Sequence, residues 1–178
     1  MVRFFILFVV ILVGLFAAEL TPPAQSAVVV PWTEALVQIS VGIATLFDSH
    51  VAAAGRILRS TANGFAVSIE AGCNGVEATL VLVAAMLAFP APWQRKLTGL
   101  AVGIVAVQGL NIVRVISLFY LGQWNYRVFE WAHLYVWQAL IMLDVLIVWL
   151  VWVRLLPHAG EPGPPGPPTR GSTAPASA

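Results

Sequence analysis

Charged residues are scarce in this chain. Only 9 Lys and Arg and 8 Asp and Glu occur in 178 residues, or 10%, against roughly 25% in soluble domains. Hydrophobic residues make up 60% and the mean hydropathy is +0.88, so the chain is predicted to be an integral membrane protein. A net charge of +1 with no basic stripe excludes nucleic-acid binding, because nothing would neutralise the phosphates.

The chain contains one cysteine, Cys73. A single cysteine excludes an internal disulfide and any multi-cysteine metal site, and no metal or cofactor is expected. It could be a small hydrophobic filler or a reactive thiol. The alternating segment 65–70 predicts a strand, and the apolar run from Val76 predicts a helix. Cys73 is therefore placed at a helix entrance, where unpaired amides favour the thiolate and the flanking Gly72 and Gly75 let amides approach a substrate oxygen.

Four apolar runs are long enough to predict transmembrane helices: 4–18, 76–93, 97–121 and 134–153. The sequence thus predicts an all-α membrane protein, a helical bundle of about four spans in one domain over 1–156. The first run can also be read as a cleaved signal peptide, but it adjoins a strongly apolar protein, which favours an anchor. The Pro- and Gly-rich segment 157–178 is predicted to be a disordered cytoplasmic tail.

The segment 28–58 is predicted to be an amphipathic helix at the membrane interface on the extracytoplasmic side, with a fifth span as the alternative. Its polar residues recur at spacings of four and seven, which places them on one helix face: Glu34, Gln38, Thr45, Ser49, Arg56 and Ser60. Ile57 and Leu58 can begin a strand that pairs with 65–70. A short strand or hairpin is therefore expected before Cys73.

The distribution of Lys and Arg predicts the orientation, because cytoplasmic loops carry the excess of positive charge. With the N-terminus inside, the cytoplasmic residues are Arg3, Arg95, Lys96, Arg154 and Arg170, and the outer ones are Arg56, Arg59 and Arg127. This arrangement places Cys73 at the outer face.

Arg114 lies inside a predicted span, where a charge costs on the order of 3 kcal/mol or more. It either pairs with Glu77 or Asp144 to fix helix packing, or it serves a reaction. His133 opens the last span; alone, it is often only a polar tip beside interfacial tryptophans. Cys73, Arg114 and His133 fall in one layer, within reach of one peptide, as nucleophile, oxyanion partner and base.

Two further polar residues inside the spans are expected to pair with each other. Asp144 lies three turns beyond His133 on the same face, and Gln108 is its expected partner at mid-depth, as packing contacts. Asn111 and Gln108 precede Arg114 on one face of their helix, so the polar face runs toward the outer surface.

The residues Gly72-Cys73-Asn74-Gly75, then Asn111 to Arg114 inside a span, then His133 resemble a known family. Their order and membrane positions are similar to those of the exosortase and archaeosortase membrane transpeptidases. The Gly-Cys-Asn-Gly-Val-Glu form is most similar to exosortase H, the branch associated with IPTL-type C-terminal sorting tails. The resemblance covers about 71–138.

The resemblance implies a cysteine protease or transpeptidase in the bacterial inner membrane, with its active site facing the periplasm. It implies that Cys73 forms an acyl thioester, Arg114 stabilises the substrate carbonyl oxyanion and His133 is the general acid and base. The expected substrates are exported proteins with a C-terminal motif, a transmembrane span and a basic end; the acceptor is unknown. The expected supporting residues are Gly72, Asn74, Gly75, Glu77 and Asn111. Because the Glu77 charge opposes a thiolate, Glu77 is expected to pair with Arg114.

Two other functions fit parts of the pattern. A non-enzymatic membrane protein would use Arg114 and the outer loops to bind a lipid or partner helix, and would tolerate loss of Cys73. A small transporter would need a wet polar track through Gln108, Asn111 and Asp144, which four spans without a visible repeat do not favour.

Overall fold

The computed structural model describes residues 2–156, which form five helices and a small sheet. The helices are α1 (Val2–Glu19), α2 (Pro22–Ala44), α3 (Val76–Ala88), α4 (Trp93–Trp124) and α5 (Tyr126–Arg154). The strands are β1 (Val51–Ala54), β2 (Ile57–Ser60) and β3 (Ala66–Ser68). This confirms the predicted all-α membrane protein with a short hairpin before Cys73. The predicted tail, 157–178, lies outside the described residues.

Within 2–156, four helices are long and apolar enough to cross a membrane: α1, α2, α4 and α5. Four candidate spans were predicted, but they are not the same four. Helix α2 is long and apolar enough to cross, whereas the predicted span 76–93 is helical only to Ala88. Phe89 is extended because the ring of Pro90 disfavours helical backbone before it. At 1.5 Å per residue, the 13-residue α3 is about 20 Å long, shorter than the roughly 30 Å hydrocarbon layer.

The predicted amphipathic helix over 28–58 is wrong beyond Thr45. Helix α2 ends at Ala44, and a turn follows in which Asp48 Oδ1 accepts a hydrogen bond of 2.9 Å from the His50 amide. Such side-chain turns compete with helical hydrogen bonds. The residues expected farther along the polar stripe therefore lie in the turn and hairpin: Ser49, Arg56 and Ser60.

The sheet is antiparallel, in the order β1-β2-β3. The predicted pairing of Ile57 and Leu58 with the strand before Cys73 is confirmed, although β3 is shorter than 65–70. Strand β1 was not predicted, because its Val-Ala-Ala-Ala sequence has little β propensity. The sheet packs on the bundle through Leu58 and Ile69, which are buried in one apolar cluster with Phe119 of α4.

The short helix α3 lies among α1, α4 and α5 and contacts all three. A Cβ at Gly103 of α4 would lie 2.8 Å from Leu82 of α3 and 3.2 Å from Val148 of α5. Glycine therefore lets α4 approach its two neighbours closely, as small residues do between membrane helices. The packing holds the N-terminal end of α3 at a fixed position beside α4.

Helices α4 and α5 are separated only by Asn125, so the residues between the predicted spans 97–121 and 134–153 are helical apart from that one. The Asn125 side chain accepts hydrogen bonds from the amides of Arg127 and Val128 and caps the start of α5. Such a cap is a local helix-start signal that the apolar pattern obscured. Within α5, the turn Ala132–Val136 is a π-helix, a form that occurs often at functional sites, and it carries His133.

Candidate active site

The loop that carries Cys73 is fixed to α2 through Asn74, which is fully buried. The Asn74 side-chain amide donates a hydrogen bond of 3.0 Å to Thr33 Oγ1, and its Oδ1 accepts one of 3.0 Å from the Val76 amide. Trp32 Nε1 donates to the Asn74 carbonyl at 3.3 Å. The buried amide therefore determines the position of the thiol next to it.

A second set of contacts closes the loop from the other side. Gly72 has a φ of +82°, and its amide donates a hydrogen bond of 2.5 Å to Glu77 Oε1. The Cys73 amide donates to the Glu70 carbonyl at 3.0 Å. Both amides are therefore engaged within the loop. The expected pair of Glu77 with Arg114 is wrong, because that carboxylate binds the loop backbone.

Gly75 fits tightly against α4. Its φ is +74°, and a Cβ there would lie 2.9 Å from both Asn111 Nδ2 and Gln108 Oε1. Gln108 Nε2 donates to the Gly75 carbonyl at 3.1 Å and to Thr79 Oγ1 at 3.0 Å. The expected pair of Gln108 with Asp144 is therefore wrong, and Asp144 Oδ2 is buried with no hydrogen-bond partner within 2–156.

The structure brings Cys73, Arg114 and His133 together. The distance from Cys73 Sγ to His133 Nε2 is 3.2 Å, and Arg114 Nη2 donates toward the same sulfur at 3.8 Å. Arg114 lies ten residues before Trp124 in α4, or about 15 Å along the helix. The three groups therefore meet well below the C-terminal end of α4, beneath the sheet.

Arg114 is buried, with 2% of its surface exposed. In the part of the chain that the structure describes, the only ion pair within 4.0 Å joins Arg56 to Glu70, so neither Glu77 nor Asp144 neutralises Arg114. The guanidinium Nε has no hydrogen-bond partner among the described residues. Burial of an unpaired charge is costly, and here the buried donor group faces the sulfur.

The imidazole of His133 is oriented by stacking. Its ring lies parallel to that of Phe129, with centroids 5.7 Å apart and an interplanar angle of 21°, and Phe129 is one turn earlier in α5. When the proton is on Nδ1, Nε2 is an acceptor that can take the thiol proton. A nucleophile within hydrogen-bond reach of an oriented base is the usual arrangement for an activated cysteine.

The surroundings of Cys73 favour the thiol in the resting protein. Burial raises the pKa of Cys73, the Arg114 charge lowers it, and the carboxylates of Glu77 and Glu70 raise it further. The net direction is upward, opposite to the thiolate expected at a helix entrance. Because the sulfur holds its proton, attack on a substrate requires a base, and His133 Nε2 is in contact with the sulfur.

The charge of Glu77 gives a testable pH effect. Glu77→Gln keeps an oxygen that can accept from the Gly72 amide but removes the negative charge that disfavours the thiolate. We expect the pKa of Cys73 to fall, so the rate of alkylation by N-ethylmaleimide should rise at lower pH than in the native protein. Measuring that rate against pH in membrane vesicles checks the shift, and Glu130→Gln, at an exposed position of α5, is the matched control. Superimposable pH profiles for the native and Glu77→Gln proteins would contradict the expected fall in the pKa of Cys73.

Several residues of the site could not be found from the pattern around Cys73. Trp32 and Thr33 bind Asn74 across 42 and 41 residues of sequence, and no local signal links them. Gln108 did have a signal, because it lies one turn from Asn111 on the same face of α4. The expectation that it faced Asp144 hid its contact with Gly75.

Comparison with known proteins covers most of the chain. The family described as transmembrane exosortase matches residues 2–152, a range that includes Cys73, Arg114 and His133. Searches among curated proteins and among solved structures found no match.

Proposed function

The chain belongs to the transmembrane exosortase family, and from this premise we propose that it is a cysteine transpeptidase or peptidase that removes C-terminal sorting tails from exported proteins. The observation that supports the proposal is the contact set around one sulfur. Cys73 Sγ lies 3.2 Å from His133 Nε2 and 3.8 Å from Arg114 Nη2. These groups supply a nucleophile, a base and a cationic donor for acyl transfer.

In the first half of the proposed reaction, His133 Nε2 takes the thiol proton and Cys73 Sγ attacks the carbonyl carbon of the scissile peptide bond. The carbonyl oxygen becomes an oxyanion, which Arg114 Nη2 stabilises. The tetrahedral intermediate collapses, the C–N bond breaks and His133 gives its proton to the leaving amine. The products are the released tail and a thioester on Cys73.

In the second half, an acceptor amine or water attacks the thioester while His133 takes its proton. The C–S bond breaks, the acyl group passes to the acceptor, and the sulfur recovers a proton from His133. The same three side chains therefore serve both halves of the reaction.

We assign the oxyanion to Arg114 because two of the loop amides next to the sulfur, those of Gly72 and Cys73, already have partners. The Gly72 amide binds Glu77 Oε1 and the Cys73 amide binds the Glu70 carbonyl. Preorganised donors lower the barrier most when they do not have to exchange partners during the reaction. A buried guanidinium without a carboxylate partner among the described residues meets that condition.

The proposed location is the bacterial inner membrane, with the site facing the periplasm. Trp152 Nε1 of α5 donates to the Arg95 carbonyl at 3.0 Å, so Arg95, Lys96 and Arg154 share one end of the bundle. The sheet, which carries Arg59, packs at the other end of α4. This separation supports the orientation expected from the positive charges. The proposed substrates are exported proteins with a C-terminal motif, a transmembrane span and a basic end. The proposed motif is the IPTL type associated with exosortase H.

The orientation predicts which positions a membrane-impermeant thiol reagent reaches. In a Cys73→Ala background, Ala62→Cys at the β2–β3 turn should be labelled in spheroplasts, whereas Gln94→Cys at the start of α4 should be labelled only after permeabilisation. Both positions are exposed, so accessibility of the side chain does not distinguish them. Labelling of Gln94→Cys from outside, with Ala62→Cys protected, would invert the proposed orientation.

The central test compares the intact masses of exported proteins from cells that carry the native protein or Cys73→Ala at equal membrane level. We expect a set of proteins with shortened C-termini only in the native cells. The mass at the new C-terminus separates hydrolysis from transfer, because water leaves a free carboxylate and an acceptor amine leaves an adduct. Identical masses in the two strains would contradict the proposed peptidase.

A further inference from the structure

The hydrogen bonds of the sheet determine which backbone groups of β3 face away from β2. The Ser60 amide donates to the Phe65 carbonyl at 2.8 Å, and the Ile69 amide donates to the Arg56 carbonyl at 2.9 Å. Hydrogen-bonded pairs alternate along an antiparallel ladder, so the Leu58–Val67 pair between them is also bonded. The strand therefore bonds to β2 through its odd-numbered residues.

The intervening residues, Ala66 and Ser68, consequently direct their N–H and C=O groups to the other side, along the outer edge of β3. Strand β3 is last in the sheet order, and no strand in the described part of the chain pairs with that edge. Both residues are exposed. Proteins usually protect free sheet edges with charged residues, proline or a covering element, and the Ala-Val-Ser sequence of β3 has neither charge nor proline.

The opposite edge of the sheet differs. Strand β1 contacts α2, and Val51 and Ala53 pack with the buried cluster that includes Leu36 and Val37 of α2. The sheet thus has one edge strand that contacts a helix and one edge strand whose outward groups have no hydrogen-bond partner in the part of the chain that the structure describes.

The free edge leads directly into the loop of the nucleophile. Ser68 is five residues before Cys73, and the hydrogen bond from the Cys73 amide to the Glu70 carbonyl folds the connecting residues into a tight turn. Ile69, between the edge and that turn, is 3% exposed. An extended peptide beside β3 would therefore run toward the sulfur along a rigid segment of the chain.

The edge is also fixed relative to Arg114. The Phe65 ring packs on Phe119 of α4, with centroids 5.9 Å apart, and Asn63 Nδ2 donates to Gln123 Oε1 of α4 at 2.8 Å. Arg114 and the strand are thus held by the same helix. Substrate backbone bound at the edge would have a defined position with respect to the oxyanion donor.

Two interhelical cavities, of about 370 and 330 Å³, are lined mainly by apolar side chains, and neither is lined by Cys73, Arg114 or His133. They offer no polar recognition next to the sulfur. Backbone groups at a sheet edge recognise an extended peptide irrespective of most of its side chains, and neighbouring pockets add specificity.

We propose that the outer edge of β3 binds the exported protein's extended segment next to the bond to be cleaved, as a fourth strand of the sheet. The inference rests on the proposed function, because it names where that substrate's backbone binds. Ala66 and Ser68 present two donors and two acceptors, enough for three or four substrate residues in extended form. The occupant is a polypeptide backbone in β conformation, delivered to Cys73 by the strand.

Proline substitution tests the edge, because proline removes an outward N–H without removing a bond to β2. Ala66→Pro and Ser68→Pro should each reduce processing of the proteins shortened in native cells by about tenfold or more. The matched control is Ala53→Pro. The Thr61 amide donates to the His50 carbonyl, so the alternation of hydrogen-bonded pairs makes Ala52 and Ala54 the residues of β1 that bond to β2. The N–H and C=O groups of Ala53 therefore face away from β2, as those of Ala66 and Ser68 do. Ala53→Pro removes an outward N–H from the edge that is not proposed to bind substrate, so it should retain clearly more processing than Ala66→Pro and Ser68→Pro.

The rate of Cys73 alkylation, measured in the same vesicles, reports whether the site has kept its geometry. It should be unchanged in Ala66→Pro and Ser68→Pro. Native processing by both variants would overturn the edge proposal, as would an equal loss in Ala53→Pro. A loss of processing together with altered Cys73 alkylation would also overturn it, because the strand would then only support the loop.

A cross-linking experiment keeps the proposal testable if the proline variants do not accumulate. The photoreactive residue p-benzoylphenylalanine, placed at 68 or at 53 in Cys73→Ala, should form adducts only from 68. The partners should be the proteins that native cells shorten, and the adduct should map within a few residues of their cleavage site. Adducts from neither position, or equally from both, would overturn the edge proposal. If native cells shorten no protein, the proposed function itself fails, and that result is read from the native and Cys73→Ala strains alone.

Discussion

Arg114→Lys should accumulate in the membrane at near-native level and yet process exported proteins roughly 100- to 1,000-fold more slowly, the usual cost of losing one oxyanion donor. The guanidinium lies 3.8 Å from the sulfur with a fixed, planar set of donors. Lysine keeps a positive charge, but on a flexible stem with a single ammonium centre. If the role of Arg114 were neutralisation of a carboxylate, that change would cost little; among the described residues no carboxylate is paired with it.

The measurement pairs an immunoblot of membrane protein with the yield of shortened product by mass. Arg56→Lys is the matched control, because Arg56 also lies near the cysteine loop and binds Glu70 at 3.2 Å, but at an exposed position. Exposed ion pairs contribute about 1 kcal/mol or less, so this variant should retain most of its activity. Near-native processing by Arg114→Lys would remove the oxyanion role, and loss of the protein would indicate a structural one.

The convergence of the three groups was predictable because a membrane makes polar residues expensive. A charge such as Arg114 within an apolar run is rarely there without a reason, and helix geometry gives its approximate depth. The same reasoning placed His133 at the start of the last span and Cys73 before a helix. The order of these sites along the chain was sufficient to indicate the family that the comparison then showed.

The partners of those groups were not predictable, because several acceptors lay within reach of each. Glu77 was expected to meet Arg114, but it is close in sequence to Gly72, and the loop amide takes the carboxylate. Gln108 was expected to meet Asp144, but the Gly75 carbonyl, exposed by a φ of +74°, takes its amide. The position of a residue along a helix predicts how deep its side chain lies in the membrane. It does not predict which of the neighbours at that depth the side chain binds.

The predicted lengths of two helical segments, 76–93 and 28–58, were wrong for local reasons. Hydropathy continued through Pro90, whereas the backbone of Phe89 had already left the helix. In the segment 28–58, the spacing of polar residues was helical by coincidence beyond Ala44, because Ser49 and Arg56 lie in turns and Ser60 lies in strand β2. A period read over few residues does not distinguish a helix from a turn followed by strands.

His133→Gln should reduce processing by roughly 100- to 10,000-fold, the range that general acid–base catalysis contributes. Glutamine presents a polar nitrogen at a similar distance from the backbone, but its amide does not take or give a proton at neutral pH. Because burial raises the pKa of Cys73, little thiolate is present without a base in contact with the sulfur. Loss of the base should therefore slow the attack itself as well as the departure of the amine.

The pH dependence of Cys73 alkylation distinguishes this role from a packing role. At neutral pH, N-ethylmaleimide should react more slowly with His133→Gln than with the native protein, and at high pH, where the thiol ionises without help, the two rates should converge. The control is His50→Gln, at an exposed position in the turn before β1, which should match the native protein throughout. A rate reduced equally at every pH would mean that glutamine has only displaced the loop; a native rate at neutral pH would show that His133 is not the base.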